Sequence, residues 1–203
     1  MNGLTCSKYI GLVLLLWAAW APSAPGAEKQ STYSNQEFHF SFQYPAAWVV
    51  SPASSGNLRV KVAAPADAPP AECAVVIKRY PKAVSAKQND IDQIFMVPPT
   101  ASELEEVLNQ GNGGIKVAKA NTETLNARPA HGARVHYKTG QNAYASGRVI
   151  MTATPGLTWT LSCSGLGATP AEAEKNFRFW EGKIHSLVSS FTFKELPKSS
   201  TKP

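Results

Sequence analysis

The sequence predicts one α+β domain, and three observations in its last third carry that reading. Leu157, Trp159, Leu161 and Cys163 alternate with Thr158, Thr160 and Ser162, the period-two pattern of a half-buried strand. Ala173, Phe177, Trp180, Ile184 and Leu187 recur at spacings of four and three, which puts them on one stripe of a helix. Such a stripe needs a sheet to cover, and residues 189–193 supply a second short strand with Phe191 and Phe193 on one face. The entrance to the helix is equally plain. Thr169 suits the N-cap, Pro170 suits the first turn, where its missing N–H costs nothing, and Glu172 stands where it completes a capping box.

Residues 1–27 read as an address rather than as part of the fold. Lys8 opens an apolar run over residues 10–20, and small residues ending at Ala27 suit a signal peptidase. The run is well short of the roughly 20 residues that span a bilayer, so a cleaved signal peptide is expected rather than a retained anchor. Cys6 precedes the apolar run and so does not mark a lipid-anchor site. What remains of the 203 residues is enough for one core and too little for two comfortable ones. Cleavage removes Lys8, leaving the mature chain about one unit less positive than the formal +6 of the whole sequence. The basic charges are dispersed, with no arginine-rich run and no aromatic RNA-binding motif, so a solvated surface is expected and nucleic acid is not.

Residues 28–36 are polar and read as a flexible mature N-terminus, with the domain over residues 37–194 and a polar tail over 195–203. Phe38, Phe40, Phe42 and Tyr44 alternate with His39, Ser41 and Gln43 in a strand with an aromatic face, closed by Pro45 and followed by Trp48. Leu58, Val60 and Val62 form the next strand, and the Ala/Pro-rich stretch 63–71 a loop. Residues 73–77 are apolar on both parities, as in a central strand. Residues 81–99, ending in Pro98-Pro99, read as a long surface loop whose deletion over 85–93 should leave the core intact. Thr100 and Glu103 form a capping-box pattern ahead of a short helix bearing Leu104, Val107 and Leu108. Strands are then expected over 115–123, 133–139 and 144–154, the last turning at Pro155-Gly156 into the strand that ends at Cys163.

The order of these signals resembles the PsbP-like superfamily, the group that includes the extrinsic photosystem II protein and many exported bacterial domains. The resemblance rests on Phe38-His-Phe-Ser-Phe-Gln-Tyr-Pro45 with Trp48, on Gly156-Leu-Thr-Trp-Thr-Leu-Ser-Cys163, on the helix containing Phe177, and on Ser189-Ser-Phe-Thr-Phe193. It spans nearly the whole mature chain. What it implies is a central antiparallel β-sheet flanked by helices, an α/β/α sandwich, and a binding or assembly role rather than a catalytic centre.

Cys73 and Cys163 are the cysteines left after processing, each on an expected strand of an exported chain. A disulfide between them is the natural reading, worth roughly 4–5 kcal/mol in the chain-entropy model, and two buried free thiols are the alternative. Their spacing is not that of a redox Cys-x-x-Cys, and without further ligands they do not make a zinc site. His39, His131, His136 and His185 are scattered, and surface or structural roles explain them better than catalysis. A nucleophile elbow and a His-Glu-x-x-His helix are both missing, Asp90 and Asp92 lack the rest of a calcium loop, and Gly111-Asn112-Gly113-Gly114 lacks the Lys-Ser/Thr of a phosphate cradle. Arg134, His136 and Lys138 project to one side of one strand, with Lys78 and Arg148 joining them in some registers. They form either a basic surface patch or an ordinary solvated sheet face.

The functional expectation is an exported, non-catalytic binding or assembly protein that needs no cofactor or metal and meets a protein partner in the envelope or outside the cell. A small extracytoplasmic hydrolase is the second reading, and requires His131 or His136 to meet a serine or carboxylate through the fold. A third is a peripheral membrane factor using an uncleaved N-terminal segment and a basic surface.

Overall fold

The computed structural model describes residues 29–52, 56–110 and 114–194. The signal-peptide reading of residues 1–27, the mature start at Glu28, the tail over 195–203 and most of the Gly111–Gly114 turn lie outside the described residues. The strands are β1 Gln30–Asn35, β2 Phe40–Pro45, β3 Val49–Pro52, β4 Leu58–Ala63, β5 Ala71–Arg79, β6 Lys116–Leu125, β7 Arg128–Gly140, β8 Ala143–Thr154, β9 Leu157–Gly167 and β10 Thr192–Phe193. The α-helices are α1 Gln88–Met96, α2 Ala101–Asn109 and α3 Pro170–Ser190, with one 3-10 turn at Pro81–Ala83. Among the described residues no helix is long and apolar enough to cross a membrane.

Seven strands form an antiparallel sheet in the order β3-β4-β5-β9-β8-β7-β6, and β1-β2-β10 form a small second sheet. The architecture is α+β, as expected, with a second sheet in addition to the central one. The large sheet consists of two meanders, β3 to β5 and β6 to β9, joined by the pairing of β5 with β9. Each meander closes through local turns, whereas the join brings together residues about 90 apart in sequence.

One face of the sheet carries α3 and the small sheet. Val75 and Ile77 of β5 stand opposite Leu161 and Trp159 of β9, all four buried, so the alternation read from sequence sets this core. Phe40, Phe42, Phe191 and Phe193 close over Trp159, whose ring stacks on Phe193 at 4.4 Å. Trp159 Nε1 donates to Thr154 Oγ1 at 3.0 Å, which satisfies the polar end of a buried indole. The helix stripe Ala173, Phe177, Trp180, Ile184 and Leu187 is buried throughout. Gly165 and Gly167 let α3 come this close: a Cβ on Gly165 would lie 2.1 Å from the backbone nitrogen of Phe177. Thr169 caps the helix by accepting from Glu172 N, but the Glu172 carboxylate reaches back to Ala168 N instead of to the cap residue. The reciprocal bond of the expected capping box is therefore displaced by one residue; at α2 the full box forms between Thr100 and Glu103.

The opposite face is covered over β6, β7 and β8 by α1 and α2, with Leu104, Ala133, Val135 and Val149 as a second, smaller core. Two readings are corrected here. Residues 28–36 are not simply flexible: Gln30–Asn35 form β1 against β2, and Tyr33 packs its ring on Phe40 and Phe42. An edge strand needs only backbone pairing and one anchoring side chain, so its polar composition does not forbid it. Residues 81–99 are not a plain loop, since they hold α1, fixed by buried Ile91, by Gln88 Nε2 donating to Ala153 O, and by an Asp92–Arg128 ion pair at 3.4 Å. Deleting residues 85–93 would remove this packing, so the core would not be left intact.

Candidate functional site

The register of the large sheet decides which polar residues meet. Arg134 of β7 stands opposite Arg148 of β8, His136 opposite Ser146, and Lys138 opposite Tyr144, so Arg134, His136 and Lys138 share the α3 face, at its far end from the aromatic core. Lys78, paired with Thr158, lies on the other face and does not join them. Arg134 is not a free charge. Its guanidinium lies 3.9 Å from the centre of the Phe177 ring, and Nη2 donates to both oxygens of Glu174 at 2.8 Å. Arg148 is likewise ion-paired with Glu123. Lys138 is exposed and sits 5.5 Å from the Tyr144 ring centre.

Glu174 is the hub of this region. Besides Arg134 it accepts from Ser146 Oγ at 2.5 Å and from Arg178 Nε at 2.8 Å. Partial burial acts to raise its pKa, but the bonds from Ser146, Arg134 and Arg178 outweigh burial and bring it from 4.5 down to about 2. Glu174 is thus a carboxylate at any ordinary pH, held as a tether between α3 and the sheet rather than poised to exchange a proton. An open depression of about 550 Å³ lies beside it, lined by Arg134, His136, Glu174, Arg178 and Glu181. A second, of about 570 Å³, lies between the β6–β7 turn and the end of α3, with Glu123, Arg148 and His185 in its wall.

The histidines are dispersed over the fold. His136 faces Ser146 across the strand pair, yet no hydrogen bond joins them, and the fully buried hydroxyl of Ser146 is committed to Glu174. His131 shares a hydrogen bond of 3.0 Å with Val97 O and packs on Phe95 at 4.7 Å. His39 lies not in a strand but in the turn before β2, at φ +51°, and His185 is exposed on α3. Among the described residues no group of histidine, cysteine and acidic side chains has the geometry of a metal site.

Cys73 and Cys163 are directly opposed on β5 and β9, with Cα atoms 4.0 Å apart and sulfurs at a disulfide distance of 2.13 Å. They sit at the join between the two meanders. Sequence reasoning passed over Glu174 and Ser146, because nothing in a linear sequence ties a charged helix residue to an arginine 40 positions earlier.

No protein-family model matches the sequence, and no curated protein matches it. Solved structures do. The solution structure of cyanobacterial PsbP (CyanoP) from Synechocystis sp. PCC 6803 superposes with a TM-score of 0.56 at 16% identity, over 84% of this chain and 95% of that one. The chain has a PsbP-like fold. LpqN of Mycobacterium tuberculosis, described as involved in cell envelope biogenesis, follows at TM-score 0.48 and 11% identity, over 82% of this chain and 91% of that one. The Ran-binding protein Mog1p of Saccharomyces cerevisiae stands at 0.48 and 8%, over 81% and 95%. At these identities the likeness concerns the PsbP-like fold alone, and what the fold does here has to come from its surface.

Proposed function

We propose that this chain is an exported, non-catalytic binding or assembly module that meets a protein partner outside the cytoplasm. The observation supporting this reading is that three side chains of the candidate site are spent on the scaffold: Ser146 and Arg134 on Glu174, and His131 on a backbone carbonyl. A hydrolase needs a nucleophile within reach of its base, and a hydroxyl buried against a carboxylate that stays ionised down to about pH 2 offers none. Export draws support from the apolar run with its small-residue cleavage site, and from two cysteines held at a distance that an oxidising compartment would seal.

The test is in-cell photo-crosslinking of the full chain in its native host, followed by fractionation and intact-mass analysis. A discrete protein adduct outside the cytoplasm is expected, on a chain that begins at Glu28 and has no free thiol under denaturing, non-reducing conditions. A chain retaining Met1 in the cytoplasm would refute export. A turnover abolished by His131→Ala or His136→Ala in folded protein would refute the non-catalytic reading.

A further inference from the structure

We propose that the α1–α2 segment is a docking surface for a basic, apolar-faced segment of a partner protein. The inference rests on the binding-module reading and says where the module binds and what chemistry it takes. Ile94, Met96 and Val97 are 64%, 56% and 64% exposed, and Val107 on α2 is 43% exposed. Single exposed apolar residues are ordinary, but three within four successive positions form a patch.

The patch is presented on a fixed support. The inner sides of the two helices are anchored by buried Ile91 and Leu104, by Gln88 on Ala153 O, and by His131 on Val97 O, with the Phe95 ring against His131. Farther along, Glu105 is paired with Lys116, and the Asn109 side chain makes two hydrogen bonds to the backbone of Ile115. The outer side is therefore pre-organised, which lowers the entropic cost of docking.

Charge identifies the occupant. Residues 87–110 carry five acidic side chains, Asp90, Asp92, Glu103, Glu105 and Glu106, against one basic, Lys87, in a chain whose net charge is +6. Asp92 and Glu105 are neutralised by Arg128 and Lys116, whereas Asp90, Glu103 and Glu106 are exposed and make no ion pair among the described residues. Asp90 lies four residues before Ile94 and Glu103 four before Val107, so acid and apolar residue share a helix face in each case. A two-fold pairing of copies through this patch would set these acids against their own counterparts, and an anionic lipid surface would meet the same repulsion. A segment with apolar anchors flanked by lysine or arginine satisfies both components.

Titration of the ¹⁵N-labelled mature chain, followed by amide shifts, tests this with defined probes. The first is an amphipathic helical peptide of leucine and lysine, and the second keeps the leucine face with glutamate in place of lysine. The lysine peptide is expected to move resonances of residues 87–110 and to bind at least tenfold tighter than the glutamate peptide. Ile94→Ser with Met96→Ser should weaken it at least tenfold, as should Asp90→Lys with Glu106→Lys; all four positions are exposed, so the fold is retained. Equal binding of the two peptides, or no binding of the lysine peptide, would overturn the proposal. So would binding of phosphatidylglycerol vesicles, or concentration-dependent self-association, through these same residues. Shifts confined to another face would sink this surface while leaving the binding-module reading intact.

Discussion

Glu174→Gln isolates the electrostatic part of the tether between α3 and the sheet. The substitution keeps shape and one acceptor oxygen but removes the charge that Arg134, Arg178 and Ser146 address. The native carboxyl titrates at about 2 against 4.5 in its ordinary state. At about 1.4 kcal/mol per pH unit this sets a ceiling of about 3 kcal/mol. The Glu174 side chain is 26% exposed, so solvent screening brings the expected contribution to about 1–2 kcal/mol. Because the folded-state value is depressed, the contribution is fully present above pH 4.5 and is lost as the pH falls from there to about 2. At pH 7 the variant should melt about 2–8 °C below the parent. Urea unfolding of both proteins at pH 7 and near pH 3 should show more than half of the free-energy gap gone at the lower pH. An equal gap at the two pH values would refute the reasoning and assign the loss to neutral packing.

Two backbone predictions follow from close approach and from φ. Gly165→Ala should destabilise by about 3 kcal/mol, because its Cβ would meet backbone atoms of α3 that cannot give way singly, while Gly182→Ala, with nothing within 4 Å in the same helix, should stabilise by about 0.5–1 kcal/mol; the same sign for both in urea unfolding would refute the close-approach argument. Ala127→Gly should raise stability by about 0.5–1 kcal/mol, since Asn126 and Ala127 both lie at positive φ in the two-residue β6–β7 turn and glycine relieves the second, so a lowered melting temperature would count against it.

That turn also shows why parts of the fold were hidden. Asn-Gly between two apolar runs announces a hairpin, but Asn126-Ala127 does not, so β6 and β7 looked separated by a long gap although they pair from Leu125 and Arg128 onward. The elements that bury a full face were legible: β2, β5, β9 and α3 each write their periodicity with large apolar residues. β1 and α1 were not. β1 rests on Tyr33, and α1 buries Ile91 while leaving Ile94 and Met96 in water, which blurs its period. Of the candidate site, the sharing of one face by Arg134, His136 and Lys138 followed from strand parity. Their electrostatic state did not, because the partner of Arg134 comes from a helix whose position only the fold determines.

Topology explains why the helical connection of α1 and α2 stands where it does. The chain leaves β5, third in the seven-stranded sheet, and must reach β6 at the far edge before the second meander can begin. The opposite face is already taken by α3 and the small sheet, so this crossover has to pass over β8 and β7 on the remaining one. Its inner residues need only seal a small core, and its outer residues are released from packing. A connection of this kind changes its surface without disturbing the join between β5 and β9, where Cys73 faces Cys163. The exposed apolar and acidic residues of α1 and α2 are therefore placed where sequence is least constrained by the fold, on a support that the fold keeps rigid.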